Sequence, residues 1–103
     1  MIVEPEWNEV SDVLAVSQQR RLAFLKTELK LCRTALDFGR LELDVGNREV
    51  AMRELPEIEK ACQTIVRFLP GIADDESRTE IREELQRLLQ DLEVFRKEVG
   101  SFS

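Results

Sequence analysis

The chain has 103 residues, of which 43% are hydrophobic and 35% charged, with a net charge of -6 and neither histidine nor tyrosine. That is one domain by length, too apolar and too periodic to be disordered. Its acidity opposes nucleic-acid binding, which draws most of its affinity from neutralised phosphates, and the missing histidine removes the commonest general base and metal ligand.

Residues 1–7 predict an extended lead-in, with acids where a signal peptide carries bases and an apolar run, and Pro5 or Asn8 marks a helix start. The first helix is expected from about residue 8 to about residue 45. Its N-terminal part carries Trp7, Val10, Val13 and Leu14, but Ser17-Gln18-Gln19-Arg20-Arg21 then interrupts the apolar pattern. This segment reads as an exposed collar on a straight helix or as a bend that folds back.

From Leu22 the apolar positions Leu25, Leu29, Cys32, Leu36, Gly39 and Leu43 alternate three and four apart, the period of a helix that buries one stripe. Gly46-Asn47 is a compact stop and restart, glycine taking a left-handed cap and asparagine capping the next helix. The second helix is expected over about residues 48–69 with Ala51, Leu55, Ile58, Cys62, Ile65 and Leu69 inward. Pro56 predicts a kink near Met52, a rival being a fresh helix start at Pro56. Pro70-Gly71 ends it, and Ser77-Arg78-Thr79-Glu80 has the spacing of a capping box. The third helix, over about residues 77–99, carries Ile81, Leu85, Leu88, Leu92, Phe95 and Val99.

Folding at Gly46 and again at Pro70-Gly71 stacks these positions into layers. Leu43, Ala51 and Val99 share one; Gly39, Leu55 and Phe95 the next; Leu36, Ile58 and Leu92; Cys32, Cys62 and Leu88; Leu29, Ile65 and Leu85; then Leu25, Leu69 and Ile81. The smallest residue of the first helix faces the largest of the third, as close packing requires. The predicted fold is all-α, an up-down-up three-helix antiparallel bundle with a long first helix. The same arrangement brings Arg33 towards Glu84 and Arg40 towards Asp91.

Functional signals concentrate on the first helix. Beside the core stripe runs a second one, Phe24, Leu31, Phe38 and Val45, with Ala35 between the two. It covers Phe68 or Leu89 at the core margin, or forms a ridge for another helix, or is itself covered by Trp7, Val10 and Leu14 of the same chain or a dimer mate. Trp7 is an anchor for the N-terminus or an interface hot spot. Cys32 and Cys62 share a layer and read as reduced core thiols or as a redox pair; two thiolates without histidine make an incomplete metal set. Residues 17–40 are net basic, through Arg20, Arg21, Lys26, Lys30, Arg33 and Arg40, and read as a solvated face paired with acids of the third helix or as a contact for nucleic acid or anionic lipid. The carboxylate pairs Glu57/Glu59 and Glu83/Glu84 lie on helix surfaces, and no catalytic constellation appears.

Phe38-Gly39, Gly46, Ala51 and Leu55 have the spacing of a tetratricopeptide-type helical hairpin, which this part of the chain resembles. In that family's pattern the first-helix aromatic falls on Ala35 and the usual second-helix alanine on Ile58. One hairpin with a third, capping helix is also similar to the three-helix microtubule-interacting-and-transport type of module. Both resemblances imply a peptide-binding or assembly module. The expectation is therefore a small cytoplasmic, non-enzymatic protein-interaction module, self-associating as a homodimer through Trp7, Val10, Leu14, Phe24, Leu31 and Phe38. It needs no cofactor, metal, nucleic acid or membrane. The alternative is a thiol-switched regulator using Cys32 and Cys62.

Overall fold

The computed structural model describes the backbone of residues 4–101 and the side chains of residues 15–101. Three helices form an up-down-up bundle: α1 (Glu4–Asp44), α2 (Arg48–Phe68) and α3 (Asp75–Gly100), with a 3-10 turn at Leu69–Gly71 joining the last two. The helix of residues 4–44 runs without a break through Ser17–Arg21, so the chain extends where a fold-back was an alternative. It also begins at Glu4, inside the expected lead-in. The side chains of Trp7, Val10, Val13 and Leu14 lie outside the described residues.

The α1–α2 turn follows from one glycine. Gly46 has φ +91°, a conformation that costs glycine nothing. Its N–H donates to the Leu43 carbonyl at 3.1 Å, and the Asn47 N–H reaches back to the Glu42 carbonyl at 2.7 Å. These two bonds make a Schellman stop. Asn47 was expected to cap α2 with its side chain; its amide instead donates to Glu42 Oε2 at 2.6 Å. That contact ties the restart to the end of α1.

Helix α2 passes through Pro56 unbroken, so the rival start at Pro56 is not what folds. Pro56 and Met52 are both exposed, so water can reach the Met52 carbonyl that lacks a helical donor. Helix α3 starts earlier than expected. Asp74, not Ser77, is its N-cap, accepting from the Ser77 N–H at 2.9 Å and the Ser77 hydroxyl at 2.6 Å. Asp74 precedes Ser77 by three residues, so its carboxylate reaches an orphan N–H of the first turn and sits at the positive end of the helix. The two hydrogen bonds hold that carboxyl below its usual range.

The core is the predicted stack. Leu25, Leu29, Cys32, Leu36, Leu43, Ala51, Ile58, Cys62, Ile65, Leu69, Ile81, Leu85, Leu88, Leu92, Phe95 and Val99 are all buried, with Leu22 and Leu55 packed at its margin. Ile72 joins them from the α2–α3 connection, where no periodicity marks it. Among the described residues no polar or charged side chain is buried, so shape alone sets the register. Gly39 sits directly on the Phe95 ring: a β-carbon there would lie 2.8 Å from Phe95 Cζ.

The ion pairs differ from expectation by one heptad. Arg33 bonds Asp91 at 2.7 Å rather than Glu84, and Arg40 meets Glu98 at 3.5 Å rather than Asp91. The layers explain it. With Leu36 level with Leu92 and Gly39 with Phe95, Asp91 lies about two residues from the level of Arg33 and Glu84 about five, or ~3 Å against ~7.5 Å along the axis. Arg96 bridges from α3 to Glu59 of α2 at 3.3 Å. These are solvent-exposed pairs worth about 0–1 kcal/mol each.

The far end of the bundle is held by Gln18. Its side-chain amide donates to the Gly71 carbonyl at 3.1 Å and accepts from the Ala73 N–H at 3.0 Å.

Gly39→Leu should cost about 1–3 kcal/mol through overpacking against Phe95. Phe95→Leu should lose stability alone yet recover part of the loss when combined with Gly39→Leu. Thermal or denaturant unfolding of the three variants measures this coupling, and an unchanged melting temperature for Gly39→Leu would refute the layer.

Candidate interaction surface

A helix in a three-helix bundle needs one apolar face, and α1 has two. Phe24, Leu31, Phe38 and Val45 are 45%, 58%, 44% and 63% exposed, although the core stripe of the same helix is buried. Leu41, at 58% exposed, belongs with them. With Thr27 and Thr34 included, the outward positions run Phe24, Thr27, Leu31, Thr34, Phe38, Leu41, Val45. Steps of three and four alternate throughout, and no position is charged. This is an a/d seam over six steps, on the side of α1 turned away from the bundle.

The residues beside the seam are less exposed on one side. Glu28, Ala35 and Glu42 are half-buried, whereas Ala23, Lys30, Asp37 and Asp44 on the opposite flank are exposed. At its upper end the seam spreads onto α2. Phe24 meets Phe68 edge to face, with ring centroids 6.2 Å apart and planes at 89°. Phe68 is itself half exposed, so the contact extends the apolar surface rather than closing it. The expected cover of Phe68 is thus present at one point, while Leu31, Phe38 and Val45 stay open.

Of the six sequence-predicted interface residues, Phe24, Leu31 and Phe38 fall on this face, and Trp7, Val10 and Leu14 lie outside the described side chains. Sequence inspection stopped at seven-residue spacing and so missed Leu41 and the two threonines. The signal was the intermediate position three residues on, uncharged at Thr27, Thr34 and Leu41 alike.

Cys32 and Cys62 do meet. Both are buried, neither is in a disulfide, and their thiols interact with each other. That interaction, then burial, then the Cys62 and Glu28 charges push the Cys32 thiol far above its ordinary range. The same interaction draws Cys62 down, while burial and the Glu59 charge oppose it. Among the described residues, no group of three or more cysteines or carboxylates is placed to hold a metal ion. Of the basic side chains, Arg33 and Arg40 are engaged with acids of α3. Among the described residues no helix is long and apolar enough to cross a membrane.

Sealed in the core, both thiols should resist a thiol-labelling reagent in the folded protein near neutral pH and react fully in denaturant. Rapid stoichiometric labelling of either one in the native state would place it at the surface.

No family model matches the chain, and no curated protein or solved structure matches it. The tetratricopeptide-like and microtubule-interacting-and-transport-like resemblances rest on the residues named for them.

Proposed function

We propose that the protein is a small interaction and assembly module whose docking face is the outward seam of α1, and that it self-associates through that helix. The observation that carries this reading is the second apolar face. Five large apolar side chains, 44% to 63% exposed, follow one heptad seam on a helix whose other face is already satisfied. Scattered exposed apolar residues are normal on any surface; an ordered seam of them is not.

The magnitudes favour a partner with a seam of its own. Burying the exposed half of one such side chain contributes roughly 1 kcal/mol. Five of them contribute about 5 kcal/mol, while association costs about 4–15 kcal/mol in lost freedom. A featureless partner leaves no net gain over most of that range. A second copy doubles the favourable side. The tetratricopeptide-like hairpin spacing points to the same class of module.

The thiol-switch alternative is supported by the contact of Cys32 with Cys62 and opposed by their burial, which denies an oxidant access.

Absolute mass by light scattering over a wide concentration range should show a monomer–dimer equilibrium. Leu31→Glu and Phe38→Glu should each shift it to monomer with helicity and melting midpoint, measured on dilute monomer, unchanged. A strict monomer at every concentration, or loss of fold in both variants, overturns the reading.

A further inference from the structure

The seam carries its own instructions for pairing. Resting on the reading that α1 self-associates, we infer that two copies dock through this face antiparallel, about a two-fold axis that passes between Cys32 and Arg33. In that register Phe24 faces the partner's Leu41, Thr27 faces the partner's Phe38, and Leu31 faces the partner's Thr34. The two-fold axis repeats each contact.

Size selects this arrangement. Every threonine meets a large apolar side chain, no two threonines meet, and no two phenylalanines compete for the same space. Val45 falls beside the partner's Arg20, whose aliphatic stem covers it while the guanidinium stays in water. A parallel pair in register would instead stack Phe24 on its own copy, Thr27 on its own and Phe38 on its own.

Charge selects the same arrangement independently. In antiparallel helix pairs the residues flanking the seam meet their like-placed counterparts across it. Here Lys30 lies against the partner's Asp37 and Arg21 against the partner's Glu42, each twice. No like charges meet. Sliding by one heptad in one direction sets Asp37 against the partner's Asp37 and Glu28 against the partner's Glu42. Sliding the other way sets Lys30 against the partner's Lys30 and Glu28 against the partner's Glu28. The parallel pair brings Asp37 against the partner's Glu42. One arrangement of the four has only attractive flanks.

The Lys30 and Asp37 charges are also available. Arg33, Arg40 and Arg96 are engaged in ion pairs between helices of the bundle, whereas neither Lys30 nor Asp37 makes an ion pair within the described residues. Lys30 and Asp37 are both exposed on the open flank of the seam. Asp37 stands seven residues after Lys30, the spacing that lets each meet the other across a two-fold axis.

A charge-reversal cycle on the full chain reads the register. Lys30→Glu and Asp37→Lys should each weaken dimerisation roughly tenfold, from two exposed pairs lost and two repulsions introduced per dimer. The double variant Lys30→Glu/Asp37→Lys should return to near the wild-type dissociation constant. Sedimentation or light scattering at low salt measures all four, with circular dichroism confirming the fold. A dimer that the single variants leave unchanged, or that the double variant fails to restore, overturns the antiparallel register while leaving self-association standing. A wild-type chain that stays monomeric removes self-association itself, and this inference with it.

Discussion

The contact between Gly39 and Phe95 is the constraint on which the bundle turns. A core without buried polar groups has no hydrogen bonds to choose its register, and leucine layers one heptad apart resemble each other closely. Phe95 breaks that degeneracy. Its ring needs a gap on α1, and within the core stripe only Gly39 leaves one. Sliding α3 by a heptad sets the ring against Cys32 or Gly46, the first already filled and the second beyond the end of the helix. The ion pairs of Arg33 and Arg40 then follow from the layers rather than creating them. They are exposed, and their energies are too small to hold a register the core opposes.

Once α2 and α3 are placed, the outward seam has no work inside the chain. The short Schellman turn at Gly46 and the 3-10 turn at Leu69–Gly71 leave little chain with which to cover it. The contact of Phe24 with Phe68 shows how the bundle treats the seam. It braces one end and leaves the rest open. A helix that contributes one stripe to its own fold and offers a second of similar period is common ground between a folding unit and an assembly unit.

Most of the fold was readable from spacing, because helix period and layer packing are both periodic and the chain has few breakers. The buried stripes of all three helices, the left-handed Gly46 and the pairing of Cys32 with Cys62 came from that arithmetic. What periodicity could not show lies between the periodic segments. Ile72 is buried from a loop, and Asp74 outcompetes Ser77 as a cap because its carboxylate precedes the first turn by the right distance. The Arg33 and Arg40 partners were misassigned by a heptad because flanking charges repeat as regularly as the core. The candidate site was half visible: large apolar residues at seven-residue spacing stood out, while Leu41 and the threonines did not. Threonine is neutral to a search for apolar stripes, yet on an outward face it is the absence of charge that marks the seam.

Gln18 sits within the segment that seemed only to interrupt the pattern. Its amide takes both the carbonyl of Gly71 and the N–H of Ala73, the last grip the bundle has on α1 towards its N-terminus among the hydrogen bonds and ion pairs of the described side chains. The helix continues from there to Glu4, about 20 Å further on. Beyond Gln18 the heading of α1 is carried by the helix backbone itself. A tilt of ten degrees at that point moves the tip of the helix by about 4 Å, on the scale of a side chain, while the layers below stay where they are. Two hydrogen bonds to a loop thus mark where α1 leaves its bundle partners, and any small bend of the helix at that level is magnified along the length that follows.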